Sequence, residues 1–160
     1  MSFMKKSVSL DVLSELRPCF EGTVVATNGC FDIIHAGHVS LLAKARERGE
    51  ILIVGVNSDE SVRLLKGKDR PINTQDHRAM VLSAFEFVDY VCIFEEKIAA
   101  NFLRASQPHI YVKGGDYTKE SLNEDELAVL DAYNTEIFIA PQVEDLSTTH
   151  IIKRAGGHAE

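Results

Sequence analysis

Five short apolar runs rich in β-branched residues recur along the chain, at 23–27 (TVVAT), 51–57 (ILIVGVN), 90–94 (YVCIF), 110–113 (IYVK) and 136–140 (EIFIA). Nearly continuous hydrophobic runs are what strands covered on both faces require. Between them the apolar period lengthens toward 3.6, which predicts helices near 9–17, 37–48, 59–65, 75–87, 97–105, 122–132 and 148–155. Strands alternating with helices predict an α/β fold, a parallel sheet of about five strands flanked by helices. A length of 160 residues fits one domain at roughly 100–200 residues each. The expected unit is 1–160, with its core at about 9–154.

Two segments break the ordinary pattern. In 75–87, Val81, Leu82 and Phe85 continue a face that begins at Arg78, so Arg78 is expected to turn toward the sheet from the N-terminal end of its helix. A charge there is odd for packing and natural for a ligand site. The 119–131 segment carries Glu120, Glu124, Asp125, Glu126 and Asp131 against one lysine, and is read as a solvated helix face. Residues 155–160 (AGGHAE) are expected to fray. The chain shows no internal repeat, low-complexity stretch or linker.

Charge narrows the partners. Seventeen basic residues against 24 acidic ones give a net charge of −7, a poor match to a nucleic-acid binder, which needs a cationic footprint. An anionic substrate must then be held by locally concentrated positive charge. The three cysteines, Cys19, Cys30 and Cys92, form no CxxC pair, which argues against a disulfide framework or a zinc knuckle. The N-terminus lacks an apolar signal region, and no apolar run approaches the ~20 residues of a membrane span. The expected compartment is the cytoplasm, with no membrane partner.

In parallel sheets, ligands bind beyond the carboxyl ends of the strands, so the residues there carry the functional signal. After the first run comes Asn28-Gly29-Cys30-Phe31-Asp32-Ile33-Ile34-His35-Ala36-Gly37-His38. Gly29 and Gly37 allow close backbone approach, and the helix starting near Gly37 offers free N–H groups to an anion. His35 and His38, spaced i, i+3, share one face of its first turn. Metal ligation and purely structural histidines are the alternatives. Phosphate handling is preferred because the other strand ends are polar too.

Those ends are Asn57-Ser58-Asp59, Lys113-Gly114-Gly115-Asp116 and, before the last helix, Ser147-Thr148-Thr149. Helix capping explains the first and third equally well, and a plain turn the second. Arg63, Lys66, Lys68, Arg70 and Arg78, against Asp69 and Asp76, form the densest basic cluster. An ordinary solvated loop is one reading; a lid that clamps a polyphosphate fits its place after a strand better.

Taken together, TNGCFDIIHAGHVSLL, VNSDESVRLLKG, RPIN, HRAMVLSAFEFVDYV, VKGGDYT and STTHII resemble the nucleotidyltransferase superfamily marked by an HxGH motif. Within it they are most similar to the D-glycero-β-D-manno-heptose 1-phosphate adenylyltransferases. Glycerol-3-phosphate cytidylyltransferases usually carry an arginine before the Ser-Thr-Thr stretch and a tryptophan after the Gly-Asp segment. Residues 142–146 (QVEDL) hold no arginine, and the chain has no tryptophan. One position departs from the heptose pattern too: Asp145 stands where its glycine is usual.

The resemblance implies a Rossmann-like fold and adenylyl transfer from ATP to a sugar 1-phosphate, with Mg²⁺ accompanying the nucleotide. Carried over by motif, His35, His38, Lys66 and Arg78 are the expected catalytic residues. Asn28, Gly29, Cys30, Phe31, Gly37, Asn57, Asp59, Gly115, Asp116, Ser147, Thr148 and Thr149 would hold the nucleotide. Asp32, Lys66, Arg70 and Lys113 would hold the sugar phosphate, and no dedicated protein metal site is expected. The resemblance further implies a stand-alone enzyme, supplied by a separate kinase, and a homo-oligomer. A polyol-phosphate cytidylyltransferase and a catalytically inactive nucleotide sensor are the alternatives.

Overall fold

The computed structural model describes residues 5–115, 117–141 and 147–156. Six parallel strands form one sheet in the order β1-β4-β3-β2-β5-β6. They are β1 (Ser7–Val8), β2 (Val24–Gly29), β3 (Ile51–Asn57), β4 (Tyr90–Phe94), β5 (Ile110–Gly114) and β6 (Glu136–Ala140). The helices are α1 (Leu10–Leu16), α2 (Ala36–Arg46), α3 (Asp59–Lys66), α4 (Gln75–Ser83), α5 (Ala100–Ser106), α6 (Glu124–Ala132) and α7 (Thr148–Gly156). The expected five strands become six. The added one, β1, has two residues and pairs Ser7 with Val91 and Val8 with Cys92 at the sheet edge. Two residues are too few to show a period.

The sheet has a core on each face. Val24, Ala26, Ile53, Cys92, Phe94 and Tyr111 pack with Leu13, Phe102, Leu103 and Leu130 on one side. Val25, Leu52, Val54, Val56, Val91 and Val112 pack with Leu42, Ala79 and Leu82 on the other. Alternate strand residues thus feed opposite cores, which is why the runs read as unbroken hydrophobic stretches. Gly55 illustrates the tightness: a Cβ there would meet the Phe102 ring at 2.9 Å.

The order places β2 between β3 and β5. The chain leaves β2 toward β3 and β4, then crosses back to β5, so a crevice opens beyond the ends of β2 and β5 where the direction reverses. Helix 75–87 is shorter than its sequence pattern, ending at Ser83. Its inward face is Arg78, Ala79, Leu82 and Ser83, whereas Val81 is 48% exposed. Arg78 does face inward, as expected, at 1% exposure. The acidic 119–131 segment divides into a 3-10 turn, Lys119–Ser121, and α6. Glu126 within it is buried rather than solvated. Helix α7 continues to Gly156, and residues 157–160 lie outside the described set. No described helix is long and apolar enough to cross a membrane.

Candidate active site

A cleft of about 540 Å³ lies at that crevice, a volume suited to a small-molecule ligand. Asn28, Gly29, Cys30, Phe31 and Asp32 line it from the loop after β2, and His35, Gly37 and His38 from the start of α2. Asn57, Lys66 and Arg70 approach from the β3 side, Lys113 and Gly115 from β5, and Ser147, Thr148 and Thr149 from α7. Arg78 and Asp59 are not among the lining residues, and Asp116 and Asp145 lie outside the described ones. Lys97, Ile98, Ser121, Leu122, Asn123 and Glu126 also line the cleft, unforeseen from the sequence.

The two histidines hold each other in place. His35 is the N-cap of α2, and its Nδ1 accepts the Gly37 N–H at 3.1 Å. His38 Nδ1 accepts the His35 N–H at 3.4 Å, and the rings stack with centroids 3.8 Å apart. Gly37 therefore gives its N–H to a ring, not to an anion as the sequence suggested. With each Nδ1 accepting, a neutral ring carries its proton on Nε2. The consequence is a pair of Nε2–H donors at one end of the cleft. Burial, then the neighbouring His35, lowers the His38 pKa from 6.5 to about 4, and burial lowers that of His35. Neutral rings are thus the resting form near pH 7.

That shift has a consequence for stability. Between pH 6.5 and 4 the unfolded chain protonates His38 while the fold does not, so stability rises with pH across this window and falls on acidification. The expected contribution, reduced for residual exposure, is about 2 kcal/mol. In urea titrations at several pH values, His38→Gln should flatten the slope between pH 4 and 6.5. An unchanged slope would mean that the buried ring carries no such penalty.

The basic segment after α3 is anchored by Asp32, which is 2% exposed. Its carboxylate accepts Arg70 Nε at 2.6 Å, Ile72 N–H at 2.8 Å and Asn73 N–H at 2.9 Å. Burial alone would raise its pKa; the Asn73 and Ile72 amides and the Arg70 guanidinium together outweigh it and hold the carboxyl below the ordinary range. Asp32 is thereby saturated, and it fastens the lid rather than presenting oxygens to a sugar. Arg70 makes this bond through Nε, and it lines the cleft together with Lys66.

Arg78 sits behind the site as a strap. Its Nη1 donates to Cys30 O at 2.5 Å, Nη2 to Asp59 Oδ1 at 2.8 Å and Nε to Asn73 O at 3.0 Å. One guanidinium thus joins the β2 loop, the start of α3 and the end of the lid. The cap reading of the β3 end also has its residue: Ser58 Oγ accepts the Ser61 N–H, while Asn57 Nδ2 donates to Ser61 Oγ at 2.8 Å. At α7, Ser147 Oγ accepts the His150 N–H at 3.1 Å, and Thr148 Oγ1 donates to Ile33 O at 3.3 Å.

At the β2–β5 junction, Asn28 Oδ1 accepts both Tyr111 OH at 2.5 Å and Lys113 Nζ at 3.0 Å. Lys113 is 6% exposed, its Nζ lies 4.3 Å from the Tyr117 ring centroid, and burial lowers its pKa. Phe31 closes the loop with φ 48°, a left-handed conformation uncommon for a bulky residue, while its ring packs into the core 5.3 Å from His38. Such strain is characteristic of functional loops. A Cβ on Gly29 would press on the Phe31 ring at 3.2 Å.

Residues 26–154 match the family described as cytidylyltransferase-like. The chain belongs to that family. It is a nucleotidyltransferase. It is 49% identical over 155 residues to the bifunctional protein HldE of Campylobacter concisus, and 50% identical over 152 residues to that of Nitratiruptor sp.. These alignments cover 96% and 95% of this chain but 31% and 32% of those proteins. The chain thus spans about a third of the length of the curated relatives it matches. Among solved structures, the lipopolysaccharide core biosynthesis protein from Thermoplasma volcanium superposes with a TM-score of 0.62 at 26% identity, over 76% of this chain and 97% of that one.

For a nucleotidyltransferase the geometry is apt. Two neutral N–H donors, the lid cations Lys66 and Arg70 and the buried Lys113 surround one cleft, so a protein of net charge −7 presents local positive potential to phosphates.

Proposed function

We propose that the chain is an adenylyltransferase that joins ATP and D-glycero-β-D-manno-heptose 1-phosphate, giving ADP-heptose and pyrophosphate. The carrying observation is the fixed His35–His38 pair, both Nε2–H groups directed away from their backbone partners in a cleft that also holds Lys66, Arg70 and Lys113. The choice of sugar and nucleotide is supported by the VKGGDYT and STTHII segments and by the similarity to HldE proteins. The product would be a precursor for lipopolysaccharide core or another surface glycan. The reading also takes the enzyme to be cytoplasmic and homo-oligomeric.

In this reaction an oxygen of the sugar phosphate attacks the α-phosphorus of ATP. A P–O–P bond forms, the bond to the bridging oxygen of the β-phosphate breaks, and its electron pair leaves with pyrophosphate. The nucleophile is already ionised, so no strong base is required; positioning and charge stabilisation are the enzyme's tasks. His35 and His38 would donate Nε2–H to α- and β-phosphate oxygens as their charge grows. Lys66 and Arg70 would bind the outer phosphates, and Lys113 the acceptor phosphate. Gly115 and the Ser147–Thr149 stretch would border the nucleoside and its phosphates. Arg78 and Asp59 would act by holding the loops.

No described group of three or more His, Cys, Asp or Glu is arranged to hold a metal, and Asp32 is saturated by its own partners. Mg²⁺ would instead arrive on the triphosphate, retaining waters, and would neutralise phosphate charge. A second reading, cytidylyl transfer to glycerol 3-phosphate or a related polyol phosphate, has the family's description in its favour. Mass analysis of the product formed from an ATP and CTP mixture with the heptose 1-phosphate and glycerol 3-phosphate together separates the two. An ADP-sugar supports the proposal, and a CDP-linked product overturns it.

A further inference from the structure

Among the described residues two carboxylates line the cleft, and they differ in how far their bonding is met. Asp32 is saturated by Arg70 and two backbone amides. Glu126, in the first turn of α6, is 7% exposed, and its Oε1 accepts the Ala99 N–H at 2.7 Å. No ion pair to it forms among the described residues. A carboxylate has about four acceptor positions, and the oxygens of Glu126 are not among the described buried atoms left without a partner, so its remaining positions open to the cleft it lines. Lys113 lines the same cleft, itself 6% exposed and bonded to Asn28 rather than to Glu126.

The two buried charges sense each other. Burial lowers the Lys113 pKa, while the Glu126 charge is the larger of two influences pulling it back up. They nevertheless do not close into a salt bridge, because Glu126 is held by the start of α5 and Lys113 by β2. An ammonium and a carboxylate that line one cleft without pairing suit a ligand that carries both a phosphate and hydroxyl donors. Lys97 and Asn123 also line the cleft and add polar groups to it.

We infer that Glu126 is a specificity-determining residue of the acceptor subsite, its carboxylate accepting hydroxyls of the phosphorylated sugar whose phosphate faces Lys113. The inference rests on the proposed reaction and assigns the part of the cleft that reads the sugar. A carboxylate at this point favours a polyhydroxylated acceptor over one with few hydroxyls.

The test is steady-state kinetics of the full chain and of Glu126→Gln, with melting temperatures measured on both. The glutamine carbonyl can still accept the Ala99 N–H, so the start of α5 keeps its anchor. With the heptose 1-phosphate, KM for the sugar should rise about tenfold or more, as for loss of a charged hydrogen bond, with KM for ATP and melting temperature held. The preference for the heptose 1-phosphate over glycerol 3-phosphate should shrink with it. An unchanged sugar KM overturns the inference, as does a joint rise of both KM values with a lowered melting temperature, the mark of a purely structural anchor. If the unmodified chain uses glycerol 3-phosphate alone, the heptose reading falls and the same KM split on that acceptor decides the role of Glu126. If it uses neither, the reaction and the inference fall together.

Discussion

His38→Ala lowers turnover by about 10²–10³ while ATP affinity changes little. The split follows from the ring's geometry. With Nδ1 accepting the His35 amide, only Nε2–H is left to donate to a ligand, and it would do so as a neutral group in the resting protein. A neutral donor contributes modestly to ground-state binding, in which, on the proposed reaction, the lid cations would also hold the triphosphate. Its contribution grows as negative charge builds on the transferring and leaving phosphates, and an interaction stronger in the transition state raises kcat rather than affinity. Calorimetric titration of ATP and single-turnover pyrophosphate release measure the two sides separately. Equal turnover would remove His38 from the mechanism; a large loss of ATP affinity at unchanged turnover would make it a ground-state ligand.

Asp32→Ala should cost about 3–5 kcal/mol of stability and lower the melting temperature by about 10 °C. The substitution leaves the Arg70 guanidinium and the Ile72 and Asn73 amides without their shared acceptor. Loss of a buried partner is more costly than loss of a surface pair because the remaining groups are stranded. The stabilisation is present above the ordinary carboxylate pKa and is lost as pH falls through the lower folded value. Thermal denaturation checks the energy, and hydrogen exchange at residues 70–73 checks that the lid segment is what loosens. A melting temperature near that of the unmodified protein would show that the lid is held by other contacts.

The fold was legible because its signals are local and repeated. The runs at 51–57, 90–94 and 136–140 coincide with β3, β4 and β6. Strand β1 was not legible, since its two residues owe their conformation to pairing with Val91 and Cys92, a tertiary effect. The lining residues at 28–32, at 35, 37 and 38, and at 147–149 were legible through motif order. Their division of labour was not. Arg78 and Asp32 carry the charges of ligand-binding residues, yet their partners at Cys30, Asp59, Asn73 and Ile72 are set by chain crossings that no local pattern encodes. Glu126 misled in the opposite sense. Set among four other acidic residues, it read as part of a solvated face, and only the contact of α6 with the start of α5 buries it. Its signal, an acidic residue one turn after the Asn123 cap and beside Leu127, was available but weak.

The most direct measurement is pyrophosphate release with Mg²⁺, crossing ATP and CTP with the heptose 1-phosphate and glycerol 3-phosphate. The expected result is release with ATP and the heptose 1-phosphate and with no other pair. Release with CTP and glycerol 3-phosphate, without release from ATP and the heptose, would contradict the assigned reaction while leaving the fold and the nucleotidyltransferase site intact.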